Sequence, residues 1–286
     1  MRWQGRRQSS NVEYRNSSVS GKKIGMFSLP AIIGALLLWW LTGDPSQALQ
    51  MVQYTQDPGS EKPAVVTEKE KETAEFLSVV LADTEDVWID IFSGMDESYR
   101  MPTLVFFRDA VSSACGQTSS QTGPFYCPGD EKVYIDISFM EKLQKQVGAA
   151  GDFVQAYIVA HEVGHHVQKL TGVLDKVNSY RGRVSEKQMN DLTVRLELQA
   201  DFYAGVWAHY VAKYKDVLED GDIEEAMNAA RAIGDDTLQK EAQGYVVPDS
   251  FTHGTSAQRM RWFKLGYSSG DIRKGDTFSA SSSSEL

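Results

Sequence analysis

Tyr157-Ile158-Val159-Ala160-His161-Glu162-Val163-Gly164-His165-His166-Val167-Gln168-Lys169-Leu170 is the stretch from which the rest of the chain is read. It is apolar enough for a buried helix, with Asp152 ahead as a cap and Gly172 behind as a stop. Residues i and i+4 share one face of a helix, so His161 and His165 can bind one zinc ion together. Glu162 projects about 100° away, beside the metal, where a general base for a zinc-bound water should stand. His166 lies roughly 40° from Glu162 round the same helix, either at the pocket rim or as a hydrogen-bonded helix partner.

Zinc in a catalytic site takes three protein ligands and keeps a fourth position open. Downstream, Glu197-Leu198-Gln199-Ala200-Asp201 again sets two acids at i and i+4. Either both are solvated acids, or Glu197 binds the metal while Asp201 accepts a hydrogen bond from a ligand imidazole. The neighbours Leu196, Leu198, Ala200 and Phe202 are too apolar for a solvated face and favour the second reading.

Working outward, a helix is expected from Ser185 to Tyr214, with others near 222–243 and 255–266. Thr67 and Glu70 form a capping box for a helix over 67–92. TLVFF at 103–107 and KVYIDI at 132–137 read as strands, and Ser138 with Glu141 caps a short helix after the second. In that strand Val133, Ile135 and Ile137 share a face, leaving Lys132, Tyr134 and Asp136 on a side expected to be wet. The expected class is α+β, mostly helical with a small early sheet. Cys115 and Cys127 lie in a Gly/Ser/Pro-rich segment, and outside the cytoplasm they can pair and close a short loop. No nearby His completes a zinc site with them.

Of 286 residues with net charge −10, the first 23 carry six basic residues against Glu13 alone, a net +5 that leaves −15 on the remainder. An acidic body argues against nucleic acid as a partner. Residues 24–42 hold 19 uncharged residues ending near Trp39 and Trp40, a short but workable membrane span. The basic flank then places residues 1–23 in the cytoplasm as a tail and the body outside, across the cytoplasmic membrane. The expected layout is a transmembrane helix at 24–42, a Pro-rich linker at 43–66, one domain at 67–278 and a disordered polar tail at 279–286.

HEVGHHVQ at 161–168 followed by ELQADFYAGVWA at 197–208 resembles the gluzincin pattern, HExxH with a downstream ExxxD. With MRWQGRR at the start, GPFYCPGDEKVYID at 123–136 and THGTSAQRMRWFKLGYSSGD at 252–271, the chain resembles the putative neutral zinc metallopeptidase family of bacterial membrane-anchored proteins. The resemblance implies a zincin-like domain in which His161, His165 and Glu197 hold one zinc, with Glu162 as catalyst and Asp201 behind the ligands. THGTSAQR at 252–259 resembles the THP…R segment of membrane-associated gluzincins, which makes His253 and Arg259 candidates for the second electrophile beside the metal. It also suggests an edge strand that pairs with extended substrate. Phe202 and Lys274-Gly275 stand where many members carry Cys, which points to a missing second disulfide. The expected activity is hydrolysis of peptide bonds in peptide or protein substrates by a membrane-anchored endopeptidase. The alternative is an envelope binding or assembly protein with a structural or vestigial zinc site, in which Glu162 would have no task.

Overall fold

The computed structural model describes residues 1–15, 67–119, 123–140, 152–280 and 286. Its first strand, β1 (Val12–Tyr14), lies inside the expected tail. Helix α1 (Glu68–Ser93) opens on the capping box read from sequence. Thr67 Oγ1 accepts from the Glu70 N–H, and the Glu70 carboxylate accepts from the Thr67 N–H. There follow β2 (Thr103–Phe107), a hairpin of β3 (Ala110–Ser113) and β4 (Gly116–Ser119), β5 (Phe125–Cys127) and β6 (Lys132–Asp136). Ile137 to Met140 are helical, and residues 141–151 lie outside the described residues. The main sheet runs β1-β2-β6-β5, with β1, β2 and β6 parallel and β5 antiparallel to β6. β1, α1 and β2 thus form a parallel strand pair joined by a helical crossover.

The two central strands, β2 and β6, are dry on both faces. Leu104, Phe106, Val133 and Ile135 face the main core, and Val105, Phe107 and Tyr134 face a second cluster with Val111 and Cys127. The expectation of a wet face on 132–137 is therefore corrected. The β3–β4 hairpin supplies Val111 to the cover of that side, and it is tied down by the Cys115–Cys127 disulfide. β6 is also interior, hydrogen-bonded to β2 and β5, so the edge strand on this side is β5.

The helical layer follows: α2 (Phe153–Leu170), α3 (Val173–Asn178), α4 (Glu186–Tyr210), α5 (Asp222–Ala232), α6 (Asp235–Gln243) and α7 (Ser256–Ser269). The helix expected at 222–243 is broken at Ile233–Gly234. A Cβ on Gly234 would lie 2.5 Å from Ser256 N, so this glycine lets the turn press against the start of α7. Glycines also set the helix crossings. A Cβ on Gly164 would lie 3.0 Å from the Ala200 carbonyl oxygen, and one on Gly205 2.1 Å from that of Phe263. Backbone thus meets backbone where α2 and α7 cross α4. Gly275 lies against the Phe202 ring, 2.6 Å from where a Cβ would be, so the two positions suspected of a lost disulfide are neighbours filled by an aromatic ring.

Both termini make contacts with the body. Residues 1–15 pack on the body instead of forming a separate tail. Met1 is buried, Arg6 pairs with Asp83 at 2.6 and 2.8 Å, and Arg7 reaches Glu85 and Asp86. Asp152 precedes α2 but makes no cap hydrogen bond, accepting instead from the Met1 amino group at 2.9 Å. At the other end Arg195 donates to the Ala280 carbonyl and Arg261 to that of Leu286, which is buried. Residues 281–285 of the disordered tail expected at 279–286 lie outside the described residues. The expected span at 24–42 and the linker at 43–66 lie outside the described residues. Among the described residues no helix is long and apolar enough to cross a membrane.

Candidate metal centre

α2 carries His161 and His165 one turn apart, and the close approach at Gly164 brings Glu197 of α4 against them. Donor atoms of the three side chains lie within 4.8 Å of one another. His161 Nε2 is 3.1 Å from Glu197 Oε2, and His165 Nε2 is 3.4 Å from Oε1. The other nitrogen of each ring is already committed. His161 Nδ1 donates to Asp201 Oδ1 at 2.9 Å, and His165 Nδ1 donates to Gln168 Oε1 at 2.9 Å. Two imidazoles with their Nδ1 atoms held by oxygen acceptors and their Nε2 atoms converging on a carboxylate fit a zinc site.

Asp201 is fully buried and would be costly to desolvate alone. Arg259 Nε donates to its Oδ2 at 2.9 Å and Nη2 to its Oδ1 at 3.0 Å, and the Tyr157 hydroxyl also donates to Oδ1. Burial would raise the Asp201 carboxyl, but Arg259 and His161 outweigh it and hold it below the ordinary range. Burial would lower His161 in turn, but Asp201 and Glu197 bring it up to about 10. Burial would raise Glu197, and the two imidazoles hold it well below the usual range. Without metal the cluster thus favours a protonated His161 and ionised Glu197 and Asp201.

Arg259 is 2% exposed and locked on Asp201. Of the two candidates for the second electrophile, Arg259 therefore bears on the metal donors through Asp201. His253 differs, with its side chain about half exposed. Its Nδ1 faces Asp235 Oδ1 at 3.3 Å, while Asp235 Oδ2 accepts from the backbone N–H groups of Thr252, His253 and Gly254. The Asp235 hydrogen bond raises the His253 imidazole against the effect of burial, and the Glu197 charge adds to the rise.

Glu162 is 8% exposed and makes no hydrogen bond to another described residue. His166 is fully buried. Its Nε2 donates to the Arg100 carbonyl, which can only accept, so its Nδ1 accepts from the Tyr126 hydroxyl at 2.9 Å. It is a helix partner that ties α2 to edge strand β5. A cavity of about 630 Å³ opens between α3 and α4, bordered by Val173, Val177, Tyr180, Leu192 and Phe278, and none of His161, His165 and Glu197 lines it.

Tyr157, Gln168 and Asp235 were missed in the sequence. Tyr157 stands four residues before His161 and Gln168 three after His165, so helical spacing could have found both. Nothing local marks Asp235, which reaches His253 only through the turn between α6 and α7.

Comparison with known proteins agrees with this geometry. Residues 1–278 match the family model described as "Putative neutral zinc metallopeptidase". An Escherichia coli K12 protein described as "Uncharacterized protein YpfJ" is 48% identical over 98% of this chain and 100% of its own. A Mycobacterium tuberculosis H37Rv protein described as "Uncharacterized protein Rv2575" is 43% identical over 68% of this chain and 67% of its own. No solved structure matches. Matched over nearly its whole length, the chain belongs to the putative neutral zinc metallopeptidase family.

Proposed function

We propose that the protein is a zinc-dependent peptidase, and that one observation carries this reading: the buried Glu162 carboxylate, which has no hydrogen-bond partner among the described residues, next to the three converging donors. A purely structural zinc site has no use for a free acid between its two histidines. His161, His165 and Glu197 hold the ion, and Asp201, Tyr157, Arg259 and Gln168 fix the rings that point at it. When bound, zinc supplies Lewis acidity toward a water and the scissile carbonyl. Glu162 takes a proton from the attacking water and delivers it to the leaving amine. His253, steadied by Asp235, donates toward the oxygen that gains charge as the carbonyl becomes tetrahedral.

β5 packs beside α2, and its outer side carries no strand among the described residues. An extended peptide adding to that edge would lie along the metal helix, which suits internal cleavage of a chain. Metal removal tests the proposal. Zinc-loaded protein should cleave members of a broad peptide library at internal bonds. A chelator should abolish cleavage and zinc should restore it. Absence of any cleavage by fully loaded protein would favour a binding or assembly role.

A further inference from the structure

Behind His165 a second buried amide stands in line with Gln168. Gln168 of α2 is fully buried and Gln199 of α4 is 5% exposed. Gln168 Oε1 accepts from His165 Nδ1 at 2.9 Å. Gln168 Nε2 donates to the Leu196 carbonyl at 2.7 Å and to Gln199 Oε1 at 3.1 Å. Gln199 Nε2 in turn donates to the Gly275 carbonyl at 2.7 Å. One hydrogen-bonded chain thus runs from the segment after α7 to a candidate metal ligand.

A side-chain amide can be turned end for end, so its direction comes from its partners. Here two backbone carbonyls, which only accept, set it. The Leu196 carbonyl requires the Nε2 end of Gln168, and the Gly275 carbonyl requires the Nε2 end of Gln199. Gln168 Oε1 then faces the ring and needs a proton on His165 Nδ1, which leaves the Nε2 lone pair of that ring for a metal. Turning Gln199 round would set two acceptors together at Gly275 and two donors together at Gln168. Gly275 is itself held. It follows the turn Ile272–Lys274 and lies so close to the Phe202 ring that a Cβ would not fit. Two residues on, the buried Thr277 hydroxyl donates to the Arg195 carbonyl, and Arg195 Nη1 donates back to the Thr277 carbonyl. The segment is thereby fastened to α4 one turn from Gln199.

We infer that Gln199 is a positioning residue of the metal centre, carrying the direction set by the Gly275 carbonyl through Gln168 to the Nδ1 proton of His165. The inference rests on the reading of His161, His165 and Glu197 as zinc ligands. It separates the two rings. His161 Nδ1 is held by a charged acceptor, Asp201, whereas His165 Nδ1 is held by a neutral amide. A hydrogen bond to a neutral acceptor is the weaker of the two, so His165 depends more on what stands behind its partner.

The test compares the full chain with two variants. Gln199→Met keeps the length of the side chain but neither hydrogen bond. Gln199→Asn keeps a polar amide but is one methylene too short to span both partners, so it serves where the first fails to fold. Zinc affinity is read by competition with a chromophoric chelator, and the ring N–H protons of His161 and His165 by nitrogen-edited NMR of the zinc-loaded protein. Each variant should bind zinc about tenfold more weakly than the parent, the lower end of what loss of an outer support of a metal ligand costs. The His165 Nδ1 proton should exchange faster with water, while that of His161, held by Asp201, keeps its parental rate. Parental zinc affinity in the variants, or faster exchange shared equally by the two rings, would overturn the role of Gln199. A parent that binds no zinc would overturn the ligand reading together with the inference, which sets that failure apart from a zinc-binding parent matched by its variants.

Discussion

The pair His161 and Glu197 shows how much one contact can hold in check. In the metal-free protein His161 Nε2 and His165 Nε2 face a carboxylate instead of a cation, and Asp201 and Glu197 carry the His161 imidazole up to about 10. Zinc must displace those protons. Adding zinc to metal-free protein near neutral pH should release roughly one to two protons per ion, read by calorimetry in buffers of different ionisation enthalpy. Asp201→Asn should weaken zinc binding by about 10–100-fold, as loss of an acceptor behind a ligand imidazole does. Arg259→Ala strands the buried Asp201 charge and should cost about 3–5 kcal/mol in denaturant unfolding. His253 supplies a pH signature. Its folded pKa is raised by Asp235, so its donating form persists above the ordinary range near 6.5 and is lost as pH rises through the raised value. Asp235→Asn keeps an acceptor but removes the charge, so the alkaline limb of the rate profile should move to lower pH.

Among the elements, those with strong signals were legible in sequence and those with weak signals were not. The Thr67–Glu70 box and the apolar periodicity of α1 fixed that helix to within a residue or two, and the i, i+4 spacing put both histidines on one face. β1 and β5 are three residues each, too short for alternation to register, and they decide the sheet's two edges. Tyr134 and Asp136 read as a wet face because their cover comes from β3, β5 and the disulfide, which no local pattern announces. Gly205 read as an ordinary helix residue, yet it is where α7 touches α4. Gly205→Ala should therefore cost about 3 kcal/mol or more, because the listener is backbone and cannot rotate aside. Replacing Cys115 and Cys127 with serine should cost about 2–4 kcal/mol, measured against the oxidised parent in urea.

For the whole molecule, pairing shows what composition does not. Six basic residues before an apolar stretch have the composition of a membrane flank, yet Arg2, Arg6, Arg7 and Arg15 meet acids of the fold. An arginine on a buried aspartate and one on a lipid headgroup look alike in sequence. Residues 1–15 supply β1 and partners for the buried acids of α1, so deleting them should lower the thermal midpoint of the isolated protein by many degrees. The site itself was far more legible, because helical spacing carries His161, Glu162, His165, Glu197 and Asp201. Its outer supports were not, because α6 and α7 arrive from 35 to 60 residues further along the chain.

The most direct measurement compares peptide hydrolysis by the parent and by Glu162→Gln at matched zinc content. Gln keeps the shape and hydrogen bonding of Glu but cannot take a proton from water at neutral pH. The account predicts one zinc per chain in both proteins and a rate lower by about 10²–10⁴ in the variant. Equal rates at equal zinc content would contradict it.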